Sequence, residues 1–309
     1  MFDKEAIYKR MLRYGMKGAL TVDAPLARVT SFRIGGPADI FFAPENYAGA
    51  VRAVKLCRRE GIPLTVLGNG TNVLVRDGGV RGIVMTTAGL RELRQEKDHI
   101  FAAAGAPLRE VCEYARRAGL SGLEFARGIP GTAGGAVFMN AGAYGSEMKD
   151  AVCRSAALDM DGDIGVTDAV GHGFAYRESA FQKNGRIILE TEFSLRPGDA
   201  GAIAAKMDEY DARRAATQPL GAPSAGSVFR RPAREGVYVG PLIEQCGLKG
   251  ACEGGAQVSE KHAGFIINLG GATASDVLSL IDRIRGEVYR RHSIDLTPEI
   301  RVIGEDIRN

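Results

Sequence analysis

Glycine at 128, 131, 134, 135, 142 and 145, with Pro130 and almost no charge among them, makes the stretch GIPGTAGGAVFMNAGAYG the strongest constraint on this chain. So many flexible positions predict an irregular segment, neither helix nor strand, whose backbone lies against something. Glycine lets main-chain amides take positive φ and come close to a ligand, and phosphate oxygens are their natural partner. The string LGNGTNVLVRDGG, Leu67 to Gly79, repeats the theme: Gly68, Asn69, Gly70, Thr71 and Asn72 follow the apolar run Leu64 to Leu67. Either loop alone would pass for a tight turn. Together they point to a long, diphosphate-containing cofactor held at two places. Neither spells GxGxxG, since Val73 stands where the third glycine belongs, so a Rossmann dehydrogenase is disfavoured.

Composition narrows the class further. Glycine makes up 41 of 309 residues without a collagen-like period, which fits many turn and ligand-facing positions. The length allows two or three domains. A net charge of +3 is too small to argue for nucleic acid or a membrane surface, though it suits small anionic molecules. Cys57, Cys112, Cys153, Cys246 and Cys252 show no CxxC spacing and read as reduced thiols of a cytoplasmic protein. The charged N-terminus and the lack of a long apolar run argue against a signal peptide or a membrane span.

Hydrophobic periodicity predicts a helix over 2–18, with Ile7, Met11 and Tyr14 on one side. A second helix over 45–60 stops at Gly61, and Leu64 to Leu67 reads as a buried strand, so a β-α-β unit closes at Ile83 to Thr86. One helix, Leu108 to Ala118, interrupts a strand-rich region to about 200. There 186–195 places Ile187, Leu189, Thr191 and Phe193 on one face. A helix carrying Ile203, Met207 and Tyr210 opens a third region, which ends in a long helix. In that helix Val277, Leu280, Ile281, Ile284 and Val288 form the core stripe and Ser275 is the expected N-cap.

Few residues advertise chemistry by spacing. His99, His172, His262 and His292 are isolated, without HxxH or HExxH, so no metal site is expected. No GxSxG elbow appears. Arg177 follows Tyr176 in FAYRESAF, Ser227 lies among small residues in APSAGSVFRRP, and Glu299 follows Pro298 in LTPEIRVIG. Taken locally, each has an ordinary reading as an ion pair, a loop hydroxyl or a strand-edge carboxylate.

The ordered strings TSFRIGGPADIFFAP, LGNGTNVLV, GLEFARGIPGTAGGAVFMNAGAYG, YRES, GSVFRRP, LIEQCGLKG and LTPEIRVIG closely resemble the UDP-N-acetylenolpyruvoylglucosamine reductases, over residues 21–304. The resemblance implies an α+β, FAD-binding fold of the vanillyl-alcohol oxidase and para-cresol methylhydroxylase type. It implies an N-terminal helix (1–20), two FAD subdomains (21–86 and 87–200) and a C-terminal α+β substrate domain (201–309). It also implies non-covalent FAD, since Gly68 to Asn72 contains no histidine to tether it, with NADPH as co-substrate and a UDP-sugar as substrate. Arg177, Ser227 and Glu299 fall at the family's catalytic positions.

The same resemblance assigns the cofactor to Arg33, to Gly68, Asn69, Gly70, Thr71 and Asn72, and to Pro130, Gly131, Thr132, Gly134 and Gly135, with Asn140, Gly142, Ala143 and Tyr144 in support. Tyr176, Arg230 and Lys261 are expected at the substrate. The short spacing between Tyr176 and Gly185 matches the shorter subtype, which lacks an inserted capping fold. A flavin-dependent oxidase of the same superfamily and a catalytically silent flavin-binding protein stand as alternatives.

Overall fold

The computed structural model describes residues 3–307, which form two compact units. Unit 1 comprises the chain up to Val22, Ile40–Asn69 and Gly82–Arg214. Unit 2 comprises Asp23–Asp39, Gly70–Arg81 and the chain from Ala215. Each unit is therefore built from stretches far apart in sequence.

Unit 1 begins with α1 (Lys4–Arg13), N-capped by Asp3, whose carboxylate accepts the Ala6 amide. This helix is shorter than the expected 2–18, of which residue 2 lies outside the described residues. Gly15 at φ +62 turns the chain, and Gly18 at φ +138 already opens the strand β1 (Gly18–Pro25). Ile7 and Met11 are buried as expected, whereas Tyr14 is exposed. Helix α2 (Tyr47–Glu60) ends on Gly61 at φ +62, a left-handed cap that relieves the last carbonyls.

The first sheet has the order β1, β2 (Pro37–Pro44), β5 (Val80–Thr86), β3 (Leu64–Leu67), with β3 parallel to β5. Being at the edge, β3 is only half-buried apart from Leu67, which corrects the expectation of a fully buried strand.

The second sheet of unit 1 is antiparallel. Its order is β9 (Ile164–Asp168), β8 (Val152–Leu158), β10 (Ile187–Ser194), β7 (His99–Ala103), β6 (Leu93–Glu96). A register shift on β10 opposite Ala156 and Ala157 breaks the expected single face. Ile187 and Leu189 pack in one core cluster, and Phe193 joins another with Ile188.

Helix α3 (Leu108–Arg117) buries Leu108, Val111, Cys112 and Ala115, as its spacing predicts. The glycine stretch itself contains α4 (Ala133–Phe138), against expectation. Two glycines are poor helix formers, but close packing outweighs that propensity here: a Cβ on Gly134 would stand 2.7 Å from the Cβ of Ala104. Helix α5 (Ala200–Thr217) contributes Ile203 and Met207 to the same core.

Unit 2 holds the antiparallel sheet β11 (Ser224–Ser227), β14 (Phe265–Asn268), β13 (Ala256–Val258), β12 (Cys252–Glu253). It also holds the parallel pair β4 (Val73–Val75) and β15 (Arg301–Ile303). Helices α6 (Val239–Gln245) and α7 (Ala274–His292) bury their apolar stripes in its core, and Val277, Leu280, Ile281, Ile284 and Val288 are all inaccessible or nearly so. The cap of α7 is Thr273 in a capping box with Asp276, not Ser275, whose amide and hydroxyl instead donate to Asp77.

Candidate active site

In unit 1 the two glycine loops meet. A Cβ on Gly68 would lie 2.8 Å from Oγ1 of Thr132, so the first loop needs glycine there for its backbone to reach the second. Thr132 is the N-cap of α4, its hydroxyl accepting the Gly135 amide at 3.3 Å. The Ala133 and Gly134 amides donate to Ala106 and Ala104. With the first-turn amides of α4 thus engaged inside the protein, an anion would have to meet the chain elsewhere, as at the turn before α4. That turn contains Gly131 at φ +139, a conformation that excludes a side chain.

The other end of the glycine stretch is fastened to the loop carrying Tyr176 and Arg177. Asn140, expected beside the cofactor, is wholly buried: its amide donates to Ala175 O at 2.9 Å and Glu147 at 3.1 Å, and its oxygen accepts the Lys149 amide. It fixes the loops. Ser179 and Gln182 both donate to Phe138 O, and Gln182 also to Arg177 O. Arg177, held at φ +58, donates to Gly142 O at 3.1 Å with its guanidinium over the exposed Tyr176 ring. Tyr144 stacks on Tyr210 with ring centroids 4.1 Å apart and donates to the Tyr210 carbonyl. Spacing gave no hint of Ser179 or Gln182, because polar residues beside an aromatic loop look like surface.

A cavity of about 370 Å³ also lies in unit 1, between the turn at Ser121 to Phe125 and the first turns of α5, and none of the expected site residues lines it.

Unit 2 brings a second group together. Ser227 ends β11, where Gly226 at φ +79 accompanies an irregular register, and pairs with Phe265. The Glu299 amide donates to Val228 O at 2.7 Å and the Arg230 amide to Thr297 O, so the strings around Ser227, Arg230 and Glu299 run side by side. The Asn72 side chain donates to Glu299 O at 3.2 Å, and the Ser31 hydroxyl to Ser224 O at 2.7 Å while its amide binds Gly70 O.

Arg33, two residues on, is exposed at φ +56. His262 lies nearby. Its Nδ1 accepts the Gly264 amide at 3.1 Å, so the neutral ring carries its proton on Nε2, and burial holds it below the ordinary histidine value. A Cβ on Gly264 would press on that ring at 3.0 Å and stand 3.7 Å from Ser227 Oγ. Neither residue was expected at the site. Lys261 reaches elsewhere, its ammonium donating to the Ala215 carbonyl in the last turn of α5.

Residues 218–303 match the model of the UDP-N-acetylenolpyruvoylglucosamine reductase C-terminal domain, and residues 38–168 an FAD binding domain. The reductase of Clostridium botulinum strain Hall is 45% identical over 285 residues, 92% of each chain. The chain belongs to the UDP-N-acetylenolpyruvoylglucosamine reductase family. That of Limosilactobacillus fermentum is 46% identical over 280 residues, 91% of this chain and 93% of the relative. The crystal structure of the Thermus caldophilus reductase superposes with a TM-score of 0.79 at 34% identity, covering 93% of this chain and 99% of that one. This reductase fold is α+β, and its FAD binding domain contains both glycine loops, where Gly131 at φ +139 keeps the backbone bare for a cofactor.

Proposed function

We propose that this protein reduces the enolpyruvyl ether of UDP-N-acetylglucosamine enolpyruvate to UDP-N-acetylmuramate, with NADPH as reductant, in the cytoplasm. Bound FAD would carry hydride from NADPH to the methylene carbon of the enolpyruvyl group. The protein's own residues then have to steady the enolate that develops beside the substrate carboxylate and deliver a proton to the neighbouring carbon.

Ser227 is the proton donor in this reading. A hydroxyl is a weak acid, so the role requires a basic enolate and a fixed oxygen. Its seat in the β11 and β14 ladder, beside Gly264, supplies the second. Arg177 and Glu299 stabilise the developing charge, the arginine by its fixed positive charge and Glu299 as a proton-bearing donor or through a water.

The flavin's phosphates are assigned to Gly68 to Asn72 and to the turn Pro130 to Thr132, with Arg33, Gly134, Gly135, Gly142, Ala143 and Tyr144 shaping its surroundings and Asn140 fixing the loops. Tyr176 and Arg230 are assigned to the substrate's carboxylate or diphosphate. Lys261 is assigned there too, one of its three N–H donors being held by the Ala215 carbonyl. The expected divisions at 20, 86 and 200 are carried forward as the functional domains.

One observation carries the assignment furthest: the hydrogen bond from the Glu299 amide to Val228 O, which brings residues distant in sequence to adjoining positions. Ser227→Ala tests it. Under anaerobic conditions NADPH should bleach the bound flavin at the normal rate, while the enolpyruvyl UDP-sugar should fail to restore its colour. Normal reoxidation would remove Ser227 from the reaction.

A further inference from the structure

We propose that His99, Cys153 and Glu192 form a binding site for one borderline-soft divalent cation of the Zn²⁺ class. Their spacing in sequence conceals it, because each ligand comes from a different strand of one sheet. Strand β10 runs between β7 and β8, pairing Ser194 with His99 and Glu192 with Arg154. The register shift on β8 between Val152 and Arg154 leaves Cys153 as the extra residue, and such a bulge re-aims a side chain.

The imidazole Nδ1, the thiol sulfur and a carboxylate oxygen all stand within 4.8 Å of one another. The Nδ1 atom is buried and lies 2.8 Å from Oε1 of Glu192, the distance of an ion pair. An ion bridging this pair would take the place of the proton they share, which leaves to solvent. The Cys153 sulfur lies 3.5 Å from the Glu192 carbonyl.

One thiolate, one imidazole and one carboxylate suit zinc-like ions, whereas magnesium and calcium take oxygen alone. Zinc–sulfur and zinc–nitrogen bonds of about 2.3 and 2.0 Å require the farthest pair to close by about 1 Å, a matter of side-chain torsion. On binding, the thiol proton leaves to solvent, so thiolate and carboxylate together balance the cation. Arg154 already holds Oε2 of Glu192, which leaves Oε1 for the ion, and with 57% of its side chain exposed its charge stays largely in water. An ion there would tie β7, β8 and β10 together.

The test uses the full-length protein as purified, freed of trace metal with a chelator and titrated with Zn²⁺. Stoichiometric binding should raise the melting temperature and shield Cys153 from iodoacetamide in mass spectra, while the exposed Cys252 keeps reacting and Mg²⁺ does neither. Cys153→Ser and His99→Ala should each weaken Zn²⁺ binding by about 100-fold or more, since losing even an outer partner of a ligand costs about 10–100-fold. Metal-free melting checks that both variants fold, with His99→Gln in reserve. Absence of stoichiometric binding to the wild type, or binding that survives either substitution, would overturn the proposal.

Discussion

Adding one carbon to Gly68 tests whether the two glycine loops work as a unit. The new Cβ would fall 2.8 Å from Thr132 Oγ1 but 3.9 Å from Thr132 Cβ and Gly135 Cα, so the hydroxyl is the only obstacle. To make room it must rotate away from the Gly135 amide, which forfeits the cap of α4, worth about 1 kcal/mol with a range of roughly 0.5–2. The backbone of Gly68 is not in the left-handed region, so alanine there otherwise stabilises by about 0.4–1 kcal/mol through the unfolded chain. Gly68→Ala should therefore cost little overall. Its effect should depend on Thr132: in a Thr132→Ala background the obstacle and the cap are both gone, and the same change should become stabilising.

The coupling between the two substitutions should equal the forfeited cap, about 1 kcal/mol with a range of roughly 0.5–2, against roughly 0.3–0.5 expected of independent sites. Melting temperatures of the four proteins at saturating FAD would register it as about 2–4 °C per kcal/mol. Flavin fluorescence should also show weaker binding in the Gly68→Ala single variant. Additive melting shifts would refute the claim that the loops touch through this hydroxyl.

Three further outcomes follow from the same geometry. Asn140→Leu removes the side-chain hydrogen bonds to the Ala175 carbonyl and from the Lys149 amide, at about 0.5–1.5 kcal/mol each, and should lower both melting temperature and flavin content. His172 is inaccessible, accepts from Ser155 and stacks on Phe174, and burial holds it below its ordinary value. Its folded form thus resists protonation, so stability present above about pH 6.5 should fall on acidification by up to about 1.4 kcal/mol per unit. His172→Asn should flatten that slope in urea titrations, and an unchanged slope would exclude this ring. Gly264→Ala, pressing on His262 next to Ser227, should slow flavin reoxidation by substrate about tenfold or more while leaving reduction by NADPH intact, in stopped-flow traces.

What could be read from the residues depended on how local the cause was. Gly61 ends α2 and the Val277 to Val288 stripe buries α7 because a left-handed cap and a 3.6-residue period are written in adjacent positions. Helix α4 was illegible because Ala104 permits it from the distant turn after β7, and the bulges of β8 and β10 arise from pairing alone. The threading of Asp23–Asp39 and Gly70–Arg81 into unit 2 is equally long-range. Among the candidate site residues, the glycine loops carry a local signature, whereas Ser227 and Glu299 have none and were named only through the family resemblance. The hydrogen bonds that align them span separate parts of the chain.

Backbone conformation supplies an argument that the residue types could not. Among the described residues only seven other than glycine have positive φ, and four of them, Arg33, Asn140, Tyr144 and Arg177, are candidates named for the site. Such a conformation costs on the order of 1–3 kcal/mol for an ordinary side chain and persists only where its surroundings over-determine it. For Arg177 those surroundings are identifiable: Gln182 holds its carbonyl, Gly142 takes its guanidinium, and Asn140 pins the neighbouring Ala175. Glycine would relieve the strain at once. The proposed role of Arg177, a charge that meets a developing enolate, requires that its guanidinium be worth more to the protein than the backbone energy it costs.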